Sequence, residues 1–406
     1  MFRTYARRTC RACAGSDLEP VLDLGQQPPA NAFLLPSELG QPESKYPLVV
    51  NLCRNCGMVQ LADVVPAALL FREYLFSTSS SQDMVQHFQT LFQHAAAPLP
   101  GNALVVEVGS NDGWALEGIR TRNLRLLGID PATNLAAAAN ARGIRTLPEF
   151  FTAAVAQQVR EADGFAHLIV ACNVLGHVDD LDDFCGGVRT LLHPLGRLIV
   201  EVPWLRDLLE FNEYDTIYHE HLSYFSLNAL ITLFARHGLI LRDVEHVATH
   251  GGSLRITVVK AGLPEHSVDW YMDKERQQGQ PAALQALAAA AAWNKQELLE
   301  RLRVCQRRGL KVWGYAAPAK ATVRLNYCEI GPDLLPCIVD TTPAKQGRHV
   351  PGTHQPILPV EALSEQPDYC LLLAWNHHEE ILRREEAYQL AGGRFIMPWA
   401  GRPSTP

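Results

Sequence analysis

The stretch that decides the fold is Ala-Leu-Val-Val-Glu-Val-Gly-Ser-Asn-Asp-Gly, residues 103–113. Its first six residues form a short and mostly apolar run, which predicts a buried parallel strand. Gly109 and Gly113 follow, and glycine lets a backbone approach a ligand closely. Because a strand, a glycine loop and a helix in this order bind adenosine-bearing ligands in doubly wound sheets, we expect a cofactor at this loop.

Similar apolar runs recur downstream of this stretch. They lie at residues 124–129, 166–171 and 196–202, and helical stretches such as the alanine-rich residues 135–142 separate them. This alternation predicts a parallel sheet that is covered by helices on both faces.

The same alternation resumes towards the C-terminus. A long alanine-rich helical stretch at residues 281–306 precedes apolar runs at residues 311–315, 336–340 and 369–374. We interpret these runs as a second, smaller α/β domain.

Polar residues at two further strand ends help to identify the cofactor. Asp130 lies 17 residues after Gly113 and suits a ribose diol, and Asn173 faces the same crevice from the next strand. The loop is not G-x-G-x-x-G, which disfavours a dinucleotide, whereas S-adenosylmethionine (SAM) has no pyrophosphate to hold. We therefore expect SAM to bind at Glu107, Gly109, Asn111, Gly113, Asp130 and Asn173; the alternative is a structural turn with a solvated aspartate.

Four of the ten cysteines form two Cys-x-x-Cys pairs, Cys10 with Cys13 and Cys53 with Cys56. Two such pairs predict a tetrahedral zinc site, and four thiolates leave no open position, so that the zinc would be structural. The alternative is four buried or redox-active thiols.

Composition limits the possible partners and the location. The net charge of −7 disfavours a nucleic-acid partner. The sequence has no run of about 18 apolar residues and no apolar signal region at its start, which predicts a cytoplasmic protein without a membrane partner.

A dense polar cluster lies at residues 214–225, where two histidines, His219 and His221, flank Glu220. Three interpretations remain open. The histidines could bind a metal if the segment is extended, one of them could be an acid–base catalyst, or the cluster could be a buried hydrogen-bonded network. His177 lies where the cofactor crevice should open, and there a capping role is as plausible as a catalytic one.

Motifs along almost the whole chain resemble those of the sugar C-methyltransferases that act on nucleotide-linked 4-keto-deoxysugars. The matching stretches are residues 10–13, 24–31, 53–57, 74–80, 107–113, 128–131, 173–177, 215–221, 250–253, 314–320 and 340–347. Two residues depart from the pattern, because Gly176 and Ala316 stand where alanine and glycine are expected.

The resemblance implies an α/β protein with three domains. A small zinc-binding domain (residues 1–80) precedes a doubly wound sheet of the class I SAM-dependent methyltransferases (residues 81–280), and a second Rossmann-like α/β domain (residues 281–406) follows. It also implies that a carbon beside the 4-keto group, C3 or C5, is methylated.

The resemblance also suggests roles for individual residues. His221 matches the proposed general base, and the other matching active-site positions are Tyr74, His177, Tyr218 and Glu220. We expect Ser79 to contact the cofactor, and we expect Tyr224, His250 and Lys320 to bind the substrate. For Lys320 the expected ligand is the pyrophosphate, with a solvated surface lysine as the alternative.

The leading hypothesis is therefore a SAM-dependent C-methyltransferase that acts at C3 of a dTDP- or GDP-linked 4-keto-deoxysugar, as a monomer or dimer. The alternatives are methylation of another small keto or hydroxyl acceptor and a non-catalytic zinc-binding scaffold.

Overall fold

The computed structural model describes residues 4–71 and 77–398, apart from the side chain of His250. The strands, numbered along the chain, are β1 Tyr5–Ala6, β2 Leu18–Gln27, β3 Tyr46–Cys53, β4 Val59–Leu61, β5 Asp63–Val64, β6 Leu104–Val108, β7 Arg125–Ile129, β8 Thr146–Leu147, β9 Ala166–Cys172, β10 Leu192–Pro203, β11 Ser223–Tyr224, β12 Ile240–Val247, β13 Ser253–Val259, β14 Val312–Tyr315, β15 Ile338–Asp340, β16 Ile357–Pro359, β17 Tyr369–Leu372 and β18 Arg394–Ile396.

The helices lie between these strands. They are α1 Ala67–Phe71, α2 Gln82–Ala96, α3 Trp114–Glu117, α4 Thr133–Ala141, α5 Ala153–Asp163, α6 Leu181–Leu191, α7 Leu205–Glu210, α8 Leu227–Arg236, α9 His266–Gln278, α10 Gln280–Arg307, α11 Ala319–Cys328, α12 His378–Arg384 and α13 Glu386–Leu390. Short 3-10 turns occur at Pro36–Glu38, Thr78–Ser80, Leu175–His177, Tyr214–Thr216, Thr249–Gly251, Val360–Glu365 and Trp375–His377.

Contacts divide the chain into two compact units. The first unit comprises Met1–Glu19, Asn51–Asp207 and Leu222–Gln280, and the second comprises Pro20–Val50, Leu208–His221 and Pro281–Pro406. The expected start of the last domain, residue 281, is a unit boundary, whereas the expected domain at residues 1–80 is shared between the units. Residues 20–50 join the second unit through contacts such as the bond from Thr322 Oγ1 to the Ala30 carbonyl (2.8 Å).

The first unit contains a seven-stranded sheet in the order β12-β13-β10-β9-β6-β7-β8. The five neighbouring strands β10, β9, β6, β7 and β8 are all parallel. In contrast, β13 pairs antiparallel with both β10 and β12. All five residues of β6 are buried, as expected for a strand with helices on both faces. The parallel part confirms the predicted doubly wound sheet.

The second unit contains a parallel five-stranded sheet in the order β16-β15-β14-β17-β18. Numbered from β14, this order is 3-2-1-4-5, the order of a Rossmann-like sheet. The second α/β domain predicted from the apolar runs is therefore confirmed. Two smaller sheets have the orders β1-β5 and β11-β4-β3-β2.

Candidate active site

The loop after β6 has the backbone conformation that its glycines predict. Gly109 has a φ of 68° and Gly113 a φ of 78°, both in the left-handed region. A Cβ atom on Gly109 would clash with Val174 Cγ2. The loop therefore needs glycine both for its conformation and for space, and it lies at the carboxyl end of β6, where such sheets bind ligands.

Hydrogen bonds hold the predicted cofactor residues close together. Asp130 accepts the backbone N–H of Asn111 (2.7 Å) and that of Ala132 (2.9 Å). The Asn111 side chain in turn accepts the backbone N–H of Thr78 (2.8 Å), in the 3-10 turn that contains Ser79. The structure thus brings the glycine loop, the end of β7 and the predicted serine turn together.

Three buried oxygen atoms at this edge of the sheet have no hydrogen-bond partner in the described part of the chain. They are Glu107 Oε2, Asp112 Oδ1 and Asn173 Oδ1. All three are acceptors, and a buried acceptor without a donor is costly. The ammonium group and the ribose hydroxyls of SAM are donors, so the residues present fit this cofactor.

Burial also changes the ionisation of this edge. It raises the pKa of Glu107 well above its usual range, and the nearby charges of Asp130 and Asp112 raise this pKa further. Burial likewise raises the pKa of Asp130, against the two backbone N–H groups that lower it. A cationic ligand would stabilise the two carboxylates and so offset the free-energy cost of burying their charges.

Two neighbouring contacts were not predicted from the sequence. Glu201, buried on β10, accepts hydrogen bonds from Arg255 Nε (2.6 Å) and pairs with His87 Nε2 (2.8 Å). Arg142 lies over the Trp114 ring, with 4.6 Å from Cζ to the centroid. Because their partners are far apart in sequence, no local pattern indicates these contacts.

The four predicted zinc ligands form a compact cluster in the first unit. The sulfur atoms all lie within 4.8 Å of one another, with 3.5 Å between Cys10 and Cys56 and 3.6 Å between Cys13 and Cys53. Four sulfurs at 2.3 Å from a tetrahedral zinc ion would be about 3.8 Å apart. The cluster therefore has the dimensions and the thiol ligands that zinc requires.

Backbone N–H groups point towards the sulfurs, as in a zinc knuckle. Ala12 and Cys13 donate to the sulfur of Cys10 at 3.4 and 3.5 Å, and Gly15 donates to the sulfur of Cys13 at 3.4 Å. The hydrogen bond between Cys10 and Cys56 lowers the pKa of Cys10 and raises that of Cys56, so that the two thiols of this pair share one proton more readily than two. These contacts stabilise the charge that a zinc ligand carries.

The second unit contains the histidine cluster, where the two histidines differ. His219 is buried, and its Nε2 lies 3.3 Å from both the Tyr46 and Pro47 carbonyls. His221 Nδ1 lies 2.8 Å from the Thr216 carbonyl. Because a carbonyl only accepts, Nδ1 of His221 carries a proton, and in the neutral ring the lone pair is therefore on Nε2. His221 therefore has the tautomer that a general base needs, whereas the ring of His219 contacts two backbone carbonyls.

The structure does not support the metal-binding interpretation of the two histidines, one of the three that the sequence left open. The segment is a turn at His219 and Glu220 and not an extended strand. Across residues 4–71 and 77–398, the four cysteines form the one group of three or more metal-ligating side chains.

Of the other predicted catalytic residues of this segment, Tyr218 contacts His221 and Glu220 contacts Asn31. The Tyr218 ring lies 3.9 Å from the His221 ring, centroid to centroid. Glu220 is buried and accepts two hydrogen bonds of 2.8 Å from the Asn31 side chain. Asn31 lies in one of the motifs of the resemblance, but its contact with Glu220 was not predicted.

A fully buried ion pair anchors the start of this segment within the second unit. Asp215 accepts hydrogen bonds from Arg324 Nη2 (2.7 Å) and Trp375 Nε1 (2.9 Å), and both charged side chains are completely buried. No local sequence pattern indicates this role of Asp215. Because the 3-10 turn also contains Thr216, the ion pair holds the carbonyl that orients His221.

The predicted substrate residues lie in different surroundings. Lys320 is half-buried at the start of α11, with its Nζ 4.2 Å from the centre of the Trp375 ring, and is thus not a solvated surface lysine. Tyr224 is buried in β11. The side chain of His250 and all of Tyr74 lie outside the described residues. His177 ends a 3-10 turn, with its ring 5.3 Å from that of Phe71.

The two departures from the family pattern have different consequences. Ala316 has a φ of 65°, in the left-handed region that favours the expected glycine. A Cβ atom on Gly176 would lie 3.4 Å from the nearest atom, the Ser223 carbonyl oxygen, so the expected alanine would fit.

None of the described helices combines the length and apolar character needed to cross a bilayer. The cytoplasmic location and the oligomeric state stay predictions.

Comparisons with known proteins cover nearly the whole chain. Family models match residues 10–71 ("Putative zinc binding domain"), 82–244 ("Methyltransferase domain") and 248–399 ("C-methyltransferase C-terminal domain"). C-methyltransferase NovU of Streptomyces niveus is 37% identical over 397 residues, which cover 96% of this chain and 94% of NovU.

Solved structures match a smaller part of the chain. A TehB-like SAM-dependent methyltransferase of Corynebacterium glutamicum is 16% identical, covers 45% of this chain and 99% of its own, and has a TM-score of 0.33. Magnesium protoporphyrin IX methyltransferase of Synechocystis with bound SAM is 14% identical, covers 44% and 79%, and has a TM-score of 0.32. Given the family models and the likeness to NovU over almost its full length, the chain belongs to the C-methyltransferase family and is a SAM-dependent C-methyltransferase with a zinc-binding domain.

Proposed function

We propose that the enzyme methylates the carbon beside the ketone of a nucleotide-linked 4-keto-deoxysugar, at C3, with dTDP or GDP as the nucleotide. The observation that carries this proposal is the tautomer of His221. Its Nδ1–H donates to the Thr216 carbonyl, so in the neutral ring Nε2 is the nitrogen that carries the basic lone pair. A methyltransferase needs a base of this kind when the methyl acceptor is a C–H group beside a carbonyl.

The chemistry assigned to the chain's own residues has two steps. His221 Nε2 removes the proton from the carbon beside the ketone, and the electron pair of the broken C–H bond forms an enolate. The Tyr218 hydroxyl donates to the enolate oxygen. The buried Glu220 orients the Asn31 side chain, whose amide donates to it. When bound, SAM would supply an electrophilic methyl group to the enolate carbon, and the bond from this methyl group to sulfur would break as the new C–C bond forms. His177 and Tyr74 are proposed as further active-site residues.

We propose that the first unit holds SAM through acceptors. Glu107, Asp112 and Asn173 offer the unpartnered oxygens to ammonium and hydroxyl donors, and Asp130 takes the ribose diol. Gly109 and Gly113 let the loop approach SAM closely, and Asn111 and Ser79 are proposed to contact SAM from the same side. Tyr224, His250 and Lys320 are proposed for the sugar nucleotide, with Lys320 on the pyrophosphate.

The proposal is tested with purified enzyme, SAM and a panel of dTDP-, GDP- and CDP-linked 4-keto-deoxysugars in deuterated buffer. We expect one sugar to gain the mass of a single methyl group and to exchange the C3 proton for deuterium. If other keto or hydroxyl compounds are methylated and no sugar on the panel reacts or exchanges, the proposal is wrong.

Replacing Gly109 by alanine should weaken SAM binding by roughly tenfold or more, because the left-handed conformation costs an L-residue about 1–2 kcal/mol and the new Cβ meets Val174. Gly176→Ala, two residues past Val174, is the matched control and should keep the SAM dissociation constant within about twofold. Isothermal titration calorimetry measures both, and equal affinities in the two variants would contradict the assigned loop.

Replacing Glu107 by glutamine should weaken SAM binding by about tenfold or more, because a charge-assisted hydrogen bond is lost. Because burial raises the pKa of Glu107 and a cationic ligand lowers it again, SAM binding should shift this group towards the carboxylate and release protons in the unaltered enzyme. Calorimetry in two buffers with different ionisation enthalpies measures this release, which Glu107→Gln should abolish. The exposed Glu161→Gln is the control.

The same substitution has a defined effect on stability. A carboxyl whose pKa is raised by folding contributes stability that is lost as the pH rises through the raised value. At neutral pH, Glu107→Gln should therefore unfold at higher urea concentration than the unaltered enzyme. A lower urea midpoint together with unchanged SAM affinity would show that Glu107 is a structural residue.

A further inference from the structure

The first cysteine pair encloses a buried cation. Arg11 lies between Cys10 and Cys13, and only 1% of the residue is exposed. Its backbone N–H donates to Gln60 Oε1 (2.9 Å), and the amide of the buried Gln60 donates back to the Thr9 carbonyl (3.1 Å). The position of Arg11 is thus fixed at its backbone by the same turn that presents the cysteines.

The guanidinium group of Arg11 binds three different acceptors. Nε and Nη2 each lie 2.9 Å from Asp179 Oδ1, while Nη1 donates to the carbonyls of Leu61 and Leu222, at 3.2 Å each. All these residues belong to the first unit. A buried guanidinium group with this set of partners holds three chain segments at one point.

Two of these segments adjoin proposed catalytic residues. Leu222 directly follows His221, and its peptide groups are bound on both sides. Its N–H donates to the Gly176 carbonyl (2.7 Å), and its carbonyl accepts from Arg11 and from the Leu61 N–H (3.0 Å). Gly176 directly precedes His177 in the chain.

The carboxylate partner lies on the other side of His177. Asp179 is two residues further along the chain, and besides Arg11 it is contacted by the Tyr5 hydroxyl and, at 3.6 Å, by Arg7. Arg11 therefore binds the chain after His177 through Asp179 and the chain after His221 through Leu222.

We propose that Arg11 is a positioning residue for methyl transfer, by which the zinc-binding knuckle sets the backbone next to His177 and His221. This inference rests on the proposed function, because it presumes that these histidines act on the substrate. The knuckle then contributes to the turnover rate as well as to folding. A small displacement of a reacting group can cost about a hundredfold in rate, so such a contact is expected to be visible in kcat.

The chain offers a matched control for this proposal. Arg54 holds the same place in the second cysteine pair, between Cys53 and Cys56, but about half of its side chain is exposed and it pairs with the exposed Glu19. Lysine keeps the charge at either position but not the planar fork that serves a carboxylate and two carbonyls together. Arg11→Lys should therefore be harmful where Arg54→Lys is not.

The test compares Arg11→Lys and Arg54→Lys in the full-length enzyme loaded with zinc. For Arg11→Lys we expect unchanged zinc content and SAM affinity, a KM within about threefold, and kcat and the deuterium wash-in rate lower by roughly tenfold or more. Hydrogen exchange of the Leu222 amide should also be faster, whereas Arg54→Lys should match the unaltered enzyme in every measurement.

Two results would overturn the proposal: a kcat of Arg11→Lys within twofold of that of Arg54→Lys, or an unchanged exchange rate of the Leu222 amide. If Arg11→Lys does not fold, Asp179→Asn takes its place. This variant removes the carboxylate charge and leaves the hydrogen bonds from Arg11 Nη1 to the Leu61 and Leu222 carbonyls. Failure of the proposed function is seen separately, since the unaltered enzyme and Arg54→Lys would then show neither methyl transfer nor wash-in.

Discussion

Replacing His221 by asparagine should lower both methyl transfer and deuterium wash-in by roughly a thousandfold or more, while SAM binds as before. The asparagine amide nitrogen can occupy the place of Nδ1 and still donate to the Thr216 carbonyl. The substitution thus removes Nε2, the proposed base, and keeps the contact that holds the side chain. Stopped-flow mass spectrometry and calorimetry measure the two properties.

His219 provides the control, because it lies two residues away and has a different partner. In His219→Gln the amide nitrogen can take the place of Nε2 and donate to the Tyr46 and Pro47 carbonyls. Methyl transfer should stay within about threefold of the unaltered enzyme. Equal losses of turnover in both variants would show that the segment is structural and that His221 is not the base.

The pH dependence of stability should also change in this control. Burial lowers the pKa of His219, against the two carbonyl contacts that raise it. A histidine with a lowered pKa in the folded state costs stability as the pH falls through its ordinary value of about 6.5, because the unfolded chain then binds the proton. In His219→Gln the loss of stability between neutral and mildly acidic pH should be smaller, as urea unfolding at several pH values can measure.

Replacing Cys56 by serine should remove the zinc ion and lower the free energy of unfolding by at least about 4 kcal/mol. The cysteines pack in the same buried cluster as the residues of α8, so loss of the ion disturbs the core of the first unit. Side chains of that unit also bind the knuckle backbone: Asn228 donates to the Cys56 carbonyl and Gln280 to that of Gly57, at 2.9 and 2.6 Å.

Zinc analysis and thermal unfolding test this expectation. The half-buried Cys305→Ser is the control, because this thiol lies outside the four-cysteine cluster. One zinc ion per chain and an unchanged melting temperature in Cys56→Ser would contradict a stabilising zinc site at these cysteines.

Features that depend on neighbouring residues in the sequence could be predicted. The buried strand β6 is a continuous apolar run, and its loop needs glycine at Gly109 for reasons of conformation. The four cysteines could be predicted as a cluster because paired thiols have few other uses in such a chain. The long helix α10 followed from its alanine-rich composition.

Features that depend on distant contacts could not be predicted. In strands β12 and β13, at the edge of the first sheet, buried residues are mixed with half-buried ones, and in β12 also with exposed ones, so neither strand is the continuous apolar run that marks β6. The two histidines of one motif have different partners, which only the packing of residues 46–47 beside one of them decides.

Buried charge pairs are a second class that local patterns do not indicate. Arg11 and Asp179 are 168 residues apart, and Asp215 and Arg324 are 109 apart. Charged side chains are seldom fully buried without a partner, and the partner of each of these residues is distant in the sequence. From the sequence alone, each therefore resembles a solvated surface residue.

The central claim, methylation of carbon beside a ketone, is tested most directly by the position of the new methyl group. The enzyme is incubated with SAM that carries a carbon-13 methyl group and with the sugar nucleotide found on the panel, and the product is examined by heteronuclear NMR. We predict that the labelled methyl carbon is bonded to C3, next to the C4 carbonyl. A labelled methyl group bonded to oxygen, or to a carbon that is not adjacent to the ketone, would contradict the account.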